Sequence, residues 1–296
     1  MMQVREINIP FGKYHTYCRI VGPASDRPPI LLLHGGPGST HNYFELLDDL
    51  ATQAGRQLIM YDQLGCGRSS IPDDHPELYT AENWVAELEN LRCYLQLDQL
   101  YLLGQSWGGM LAIIYLCDYH PRGIQGVVLS STLSSARLWA SELHRLIKFM
   151  PEDDQAAIRR AEETGDFTDP AYQRANAAFM ELHAAGRVTA QSPEPLRRAK
   201  LGGDQAYLTA WGPNEYNPLG DLHDYEYTAK LSQITVPALV IDGTNDLCTP
   251  LVAKTMYDHL PNARWKLFQG ARHMVFAEQT KAYEQTVTDW LTTVEK

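Results

Sequence analysis

A serine in the segment GQSWGG, residues 104–109, has the surroundings that a catalytic nucleophile needs. The segment fits the pattern G-x-S-x-G, in which a serine occupies a sharp turn between a buried strand and a helix. The apolar run 100–103 directly precedes it, and residues 106–119 follow with helical character. Side chains at the two flanking positions would collide with the neighbouring strand and helix, which explains the glycines. We therefore predict that the Ser106 hydroxyl attacks a carbonyl group.

A serine hydroxyl needs a base to remove its proton, and that base is usually oriented by a carboxylate. In this strand–turn–helix pattern the three residues follow one another along the chain as serine, acid and histidine. His273 follows the apolar run 264–268 and precedes the last helical pattern, so we predict that it is the base. Two carboxylates follow the preceding run, 236–241. We favour Asp246 as the orienting acid, with Asp242 as the alternative.

The segment HGGPG, residues 34–38, is a second glycine-rich loop that follows an apolar run, 29–33. Glycines allow a substrate carbonyl to approach main-chain N–H groups closely. We predict that the N–H groups of Gly36 and Trp107 form an oxyanion hole. A phosphate-binding loop is the alternative, but neither G-x-x-x-x-G-K-[ST] nor G-x-G-x-x-G is found here. His34 is expected to be structural.

Strand and helix patterns alternate on both sides of these loops. Short apolar runs that end in glycine-rich segments predict buried strands, and a period of 3.6 residues predicts helices. An N-terminal hairpin is expected over residues 2–9 and 14–21. The order predicts an α/β fold with a mostly parallel central sheet and helices on both faces. The further predicted strands are 29–33, 57–61, 100–103, 126–129, 236–241 and 264–268, and the helices between them are 81–95, 106–119, 249–260 and 278–294.

The middle of the chain, residues 134–225, lacks convincing buried strands and contains helical patterns instead. We predict a helical cap there, inserted into a core formed by residues 1–133 and 226–296. A cap over a site excludes bulk water and shapes specificity. The predicted cap helices are 136–149, 151–164, 170–184 and 193–201.

Composition excludes several classes of function. Of the 296 residues, 36 are acidic and 25 are basic, and the net charge of −11 argues against nucleic acid or an anionic membrane surface as a partner. No apolar run approaches the roughly 20 residues of a membrane span or resembles a signal peptide. The five cysteines contain no C-x-x-C pair, so we expect a cytoplasmic protein without disulfides or a metal site. A serine hydrolase of the predicted kind is expected to need no cofactor. Cys66 has no paired histidine in the sequence, which disfavours it as a nucleophile.

Three motifs together resemble those of the proline iminopeptidases, a family that includes the tricorn-interacting aminopeptidases. They are HGGPG at 34–38, DQLGCGRS at 62–69 and GQSWGG at 104–109, and WGPNEY at 211–216 is similar to a stretch of the family's cap. The resemblance implies the α/β-hydrolase fold and hydrolysis of the amide bond after an N-terminal residue, often proline. The implied partner is a small peptide or an amino-acid amide or ester. By position, the predicted serine, acid, base and oxyanion groups match the family's own.

The resemblance also implies that Glu215 binds the free amino group of the substrate. A carboxylate in a partly enclosed pocket attracts an ammonium group more strongly than a carboxylate in water. Some relatives carry a second glutamate directly after the triad aspartate, where this chain has Leu247. The aromatic residues Tyr207, Trp211 and Tyr216 are predicted to line an apolar pocket, with simple packing as the alternative.

Two other classes of function stay open at this point. One is an amino-acid amidase, esterase or lactonase of the same fold, acting on a small metabolite. The other is a ligand-binding protein without activity, which the predicted triad disfavours. An epoxide hydrolase or a dehalogenase would need a carboxylate where this chain has Ser106.

Overall fold

A computed structural model describes residues 3–296, so residue 2 of the predicted first strand lies outside the described residues. One sheet dominates the fold. Its strands are β1 (Val4–Phe11), β2 (Tyr14–Val21), β3 (Ile30–Leu33), β4 (Leu58–Tyr61), β5 (Leu100–Gln105), β6 (Ile124–Ser130), β7 (Ala238–Gly243) and β8 (Ala263–Phe268). Their spatial order is β1-β2-β4-β3-β5-β6-β7-β8.

The sheet is mostly parallel, as the sequence predicts. The hairpin β1–β2 is antiparallel and joins β4 in an antiparallel pair, while β4, β3, β5, β6, β7 and β8 pair in parallel. The carboxyl ends of the parallel strands therefore meet at one edge of the sheet, where ligands bind in open α/β folds. The predicted oxyanion loop follows β3, and Ser106 follows β5. Of the two candidate acids, Asp242 lies near the end of β7 and Asp246 lies in the loop after it.

Helices cover both faces of the sheet. Trp84 and Leu88 of α2 (Ala81–Leu95) pack in an apolar layer on one face, together with α3 (Trp107–Ile114). Tyr283 and Val287 of α11 (Thr280–Val294) pack in the layer on the other face, beside α1 (Asp48–Gln53). The fold class predicted from the sequence is thus confirmed. The remaining helices of the core are α9 (Pro250–His259) and α10 (Val275–Glu278).

Helices fill the chain between β6 and β7, and within the described residues no strand of the sheet lies there. The two ends of this stretch lie side by side, because Ser135 and Glu226 form an antiparallel bridge. The Ser135 hydroxyl also donates to the Glu226 carboxylate at 2.6 Å. These contacts support the proposal that residues 134–225 form a cap inserted into the core. The cap helices are α4 (Ala136–Ile147), α5 (Glu152–Thr164), α6 (Pro170–His183), α7 (Glu194–Arg197) and α8 (Asp204–Ala210).

Some element boundaries differ from the sequence predictions. The helix predicted over 193–201 ends at Arg197, because the next residues extend and bind to loops of the core. The carbonyl of Leu201 accepts a hydrogen bond from Gly67 N at 2.7 Å, and Gly203 N donates to Gly38 O at 2.7 Å. Tertiary hydrogen bonds thus override the local helical pattern. Neither α8 nor the helical stretch over residues 41–53 was predicted.

Candidate active site

Ser106 occupies a strained turn between β5 and α3. Its φ of +54° lies in the left-handed region, which is uncommon for a residue with a side chain. A Cβ at Gly104 would lie 2.3 Å from the carbonyl oxygen of Gly108, and a Cβ at Gly108 would lie 1.9 Å from that of Leu33. Only glycine fits these two positions, and the two glycines therefore allow the serine turn to pack against α3 and β3.

The Asp246 carboxylate and the His273 ring form a buried pair, with Nδ1 of the ring 2.7 Å from Oδ1 of the acid. The carboxylate also accepts hydrogen bonds from the Ser131 hydroxyl at 2.6 Å and from the N–H groups of Cys248 at 2.8 Å and Gly243 at 3.2 Å. Asp246 is 1% exposed. A buried carboxylate with this many donors has a fixed orientation, and it therefore fixes the orientation of the ring.

Asp242, the alternative acid, makes no hydrogen bond to His273 in the described part of the chain. Its Oδ1 accepts a hydrogen bond from the indole N–H of Trp265 on β8 at 2.7 Å. Burial raises its pKa to about 8, and the nearby charge of Asp246 adds to that rise. The geometry thus favours Asp246 over Asp242 as the partner of the histidine.

The predicted oxyanion loop packs directly against the serine. A Cβ at Gly35 would lie 3.0 Å from the Cβ of Ser106, and Gly36 has a φ of +111° that favours glycine. The Tyr43 hydroxyl accepts from Gly35 N at 2.6 Å and donates to Oε1 of Gln105 at 2.9 Å. This bridge ties the loop to the residue before the serine.

Two main-chain N–H groups near Ser106 are available to a ligand. Over residues 3–296, those of Gly36 and Trp107 donate to no protein acceptor. Trp107 is the first residue of α3, and the first N–H groups of a helix have no partner within it. The same two groups are the predicted oxyanion donors.

The loop DQLGCGRS, residues 62–69, is hydrogen-bonded both to the serine turn and to the HGGPG loop. Gln63 accepts a hydrogen bond from the indole N–H of Trp107 at 2.7 Å and donates to His34 O at 3.1 Å. The His34 ring is fully buried, and burial lowers its pKa to about 4, so the ring is neutral and accepts a hydrogen bond from Gln63 N at 2.9 Å.

Burial raises the pKa of the Cys66 thiol well above its usual range, which makes the thiol a poor nucleophile. Asp62 accepts from the main-chain N–H groups of His41 and Arg68, both at 2.8 Å.

Glu215 lies in the proposed cap and is half-buried. The Tyr207 hydroxyl donates to Oε1 of Glu215 at 2.8 Å. Burial raises the pKa of Glu215, although the nearby His273 and the hydrogen bond from Tyr207 act in the opposite direction. The carboxylate thus keeps one oxygen committed to Tyr207, while Oε2 has no protein partner over residues 3–296.

Two other predicted substrate-binding residues, Trp211 and Tyr216, are more deeply buried than Glu215. The Trp211 ring is 3% exposed and packs edge-to-face on Trp139, with centroids 6.4 Å apart. Tyr216 is fully buried, with its ring against Phe179. Leu247 is 1% exposed and belongs to the apolar core. Tyr207 and Glu215 are the half-buried members of this group.

Sequence reasoning missed Trp139, whose ring packs edge-to-face on His273 with centroids 5.8 Å apart. No motif marks this residue on α4. Sequence reasoning also missed Glu87, whose carboxylate accepts a hydrogen bond from Leu64 N at 2.9 Å inside the core. The sequence does contain a signal for this residue, because an acidic side chain lies on the apolar face of α2, between Trp84 and Leu91.

In the described part of the chain, no group of three or more His, Cys, Asp or Glu residues is arranged to hold a metal ion. None of the helices within residues 3–296 has both the length and the apolar character that a membrane crossing requires.

Comparison with known proteins agrees with this geometry. A family model described as the alpha/beta hydrolase fold matches residues 28–280. A proline iminopeptidase of Lactobacillus delbrueckii subsp. lactis is 63% identical over 291 residues, which cover 98% of this chain and 99% of the relative. Among solved structures, the proline iminopeptidase of Mycobacterium smegmatis has a TM-score of 0.86 at 30% identity, covering 98% of both chains. VinJ has a TM-score of 0.90 at 31% identity, covering 98% of this chain and 99% of VinJ.

The match over most of the chain defines the class: the protein is a member of the α/β-hydrolase fold. Sheet order, the serine turn and the buried acid–histidine pair all fit that class. Within it, the chain belongs to the proline iminopeptidase family.

Proposed function

We propose that the protein is a serine aminopeptidase that hydrolyses the amide bond after the N-terminal residue of a small peptide, with proline as the favoured residue. The single observation that carries the proposal is the half-buried Glu215 carboxylate, which interacts electrostatically with His273 and provides a negative group for a free amine. The proline iminopeptidases that are 60–63% identical to this chain support the same activity.

In this mechanism, Ser106 Oγ attacks the carbonyl carbon of the N-terminal residue while His273 removes the hydroxyl proton. Asp246 orients the ring and stabilises the imidazolium that forms. The ring then gives the proton to the leaving amine, and the C–N bond breaks to leave an ester on Ser106. A water molecule, activated by the same ring, hydrolyses that ester and restores the enzyme.

The N–H groups of Gly36 and Trp107 bind the negative oxygen of each tetrahedral intermediate. They act as fixed dipoles and do not need to reorganise during the reaction. Their lack of protein acceptors supports this role.

Glu215 binds the α-ammonium of the substrate through Oε2, while Tyr207 occupies Oε1. Leu247 adds no second carboxylate, so the anchor is a single charge oriented by one tyrosine hydroxyl. Tyr207 and Trp211 contribute apolar surface near the anchor, as we propose for the ring of an N-terminal proline.

We further propose that the enzyme acts in the cytoplasm, without nucleic acid or a membrane surface as a partner. The net charge of −11 disfavours anionic polymers and surfaces. The cysteines, four of them buried, are free thiols, which suits a reducing compartment.

A substrate panel tests the proposal. It compares aminoacyl anilides that carry a free α-amine with the same compounds N-acetylated, and adds short acyl esters and lactones. We expect proline anilide to have the highest kcat/KM and the acetylated analogue to react at least tenfold more slowly. Faster turnover of the esters or lactones than of any free-amine anilide would instead indicate an esterase or lactonase of the same fold.

A further inference from the structure

The C-terminal end of cap helix α6 touches both loops that carry the acid–histidine pair. The main-chain N–H of His273 donates to the carbonyl oxygen of His183, the last residue of the helix, at 3.0 Å. The His183 ring, through Nδ1, donates to the carbonyl oxygen of Asn245 at 3.0 Å. Asn245 directly precedes Asp246. One residue of the cap is therefore bonded to the chain next to the acid and to the histidine itself.

A further contact strengthens this junction. The guanidinium of Arg272 donates through Nη1 to the carbonyl oxygen of Glu181 at 2.7 Å, and through Nε to the Glu278 carboxylate at 2.6 Å. The last carbonyls of a helix lack partners within it, and cationic groups stabilise them. The loop that carries His273 is thus held at the end of α6 by both its main chain and a side chain.

We propose that His183 is a positioning residue that fixes the loop of Asp246 relative to the loop of His273. The proposal rests on the proposed function, since it takes these two residues as the acid and the base. Because the two loops follow different strands, β7 and β8, a residue bonded to both limits their relative movement. His183 itself contacts no reacting atom in this scheme.

The chemistry of the ring suits this role. A carbonyl oxygen can only accept, so Nδ1 of His183 must carry a proton. Burial lowers the pKa of His183, which keeps the ring neutral near neutral pH and leaves Nδ1–H as its donor towards Asn245. The ring also packs on Phe179, one turn earlier on the helix, with centroids 4.9 Å apart. The ring is therefore oriented from its own helix before it meets the loop.

Two substitutions separate the hydrogen bond from the ring. His183→Asn keeps an N–H donor at the δ position and loses the ring, whereas His183→Phe keeps the ring and loses the donor. Both retain the main-chain carbonyl that accepts from His273. The matched control is His259→Phe, which removes a similar bond from a ring Nδ1 to a carbonyl, that of Thr255, at an exposed site on α9.

The variants are compared by kcat and KM on proline anilide, by the rate of inactivation with a fluorophosphonate, and by the midpoint of thermal unfolding. A displacement of about 1 Å at a catalytic group costs up to about 100-fold in rate. We expect His183→Phe to lose about 10- to 100-fold in kcat and in inactivation rate, with KM within about twofold. His183→Asn and His259→Phe are expected to stay within about threefold of the wild type in kcat.

Three results would overturn the proposal. They are a wild-type kcat in His183→Phe, an equal loss in His183→Asn and His183→Phe, or a loss that appears in KM alone. If the wild type itself hydrolyses no free-amine anilide, the proposed function fails. The fluorophosphonate rates still report on the serine and histidine in that case, so the two failures are distinguishable.

Discussion

Trp139 and Glu215 are joined by a hydrogen bond from the indole N–H of the first to the main-chain oxygen of the second, at 2.8 Å. The Trp139 ring also packs edge-to-face on His273. An aromatic ring has few rotatable bonds, so this contact sets a fixed spacing between the main chain of Glu215 and the imidazole. If Glu215 binds the amine as proposed, the amine of the substrate and its scissile carbonyl group must match that spacing, which favours cleavage after one residue.

Removing the charge of Glu215 tests the amine anchor. A hydrogen bond to a charged group contributes about 1.5–3 kcal/mol, which corresponds to roughly a 10- to 150-fold change in affinity. We therefore expect Glu215→Gln to raise KM for proline anilide by about that factor. The KM for the N-acetylated analogue, measured in parallel, should change by less than about threefold.

Tyr207→Phe provides the matched variant for this test, since it removes only the hydroxyl that donates to Glu215. It leaves the charge in place and frees its orientation, so the expected rise in KM is smaller, about threefold to tenfold. Equal effects of Glu215→Gln on the free and acetylated substrates would show that the carboxylate does not bind the amine.

Replacing the predicted nucleophile tests the reaction class. Ser106→Ala removes the attacking oxygen and leaves the oxyanion donors in place. We expect kcat for proline anilide to fall by about 10⁴-fold or more. The variant should also fail to react with a fluorophosphonate, as detected by mass spectrometry, while its unfolding midpoint stays near that of the wild type. Activity close to the wild type would assign the chemistry to another residue.

Asp242 makes stability depend on pH. Its pKa in the folded protein is about 8, above the ordinary value of 3.8. The neutral acid is favoured by folding, so its contribution is complete below about pH 3.8 and is lost as the pH rises through about 8. Asp242→Asn keeps an acceptor for Trp265 and cannot ionise. We expect the variant to gain stability over the wild type as the pH rises from 5.5 to 8.5, by roughly a few kcal/mol.

Urea unfolding at several pH values measures this difference. Asp258→Asn serves as the control, because that aspartate is exposed on α9 and its change should add no comparable slope. A constant or shrinking advantage of Asp242→Asn with rising pH would show that the buried carboxyl ionises at an ordinary pH.

Substitutions at two adjacent glycines, Gly202 and Gly203, test the contact between the proposed cap and the oxyanion loop. A Cβ at Gly203 would lie 2.3 Å from Gly65 O and 2.9 Å from the Cα of Gly38, whereas a Cβ at Gly202 would meet nothing closer than 3.6 Å. We expect Gly203→Ala to lose about 1–3 kcal/mol of stability and to lower kcat, because it displaces the main chain beside Gly36. Gly202→Ala is the control, and both unfolding and proline anilide hydrolysis should stay near the wild type. Similar behaviour of the two variants would contradict this account.

The parts of the site that depend on local sequence could be predicted. A Cβ at Gly104 would meet the main chain of Gly108 within the same turn, so the need for glycine there is local. Gly108 is different, because a Cβ there would meet the main chain of Leu33 on β3. Helix α2 has the predicted bounds because its apolar period and its cap residue, Thr80, are both local signals. The preference for Asp246 over Asp242 fits the structure, because the loop after β7 brings the Asp246 carboxylate to the His273 ring.

The parts that depend on contacts between distant segments could not be predicted. Trp139 and His183 lie on helices without a motif, and their contacts with His273 and Asn245 join segments that are far apart in the sequence. The helix predicted over 193–201 was wrong in extent for the same reason, since hydrogen bonds to Gly38 and Gly67 determine the backbone after Arg197. Tyr216 has an aromatic side chain of the kind that lines apolar pockets, but the residue is fully buried in the structure.

The junction of Gly38, Gly65 and Gly203 is built from backbone atoms, and this has a consequence for enzyme engineering. The side chains that we propose to face the substrate take no part in this junction. A combinatorial library can therefore randomise the half-buried Tyr207 to seek new acyl preferences while the three glycines stay constant, with Trp211 retained because it is buried against Trp139. Variants from such a library should keep the cap seated, so that selection acts on recognition alone.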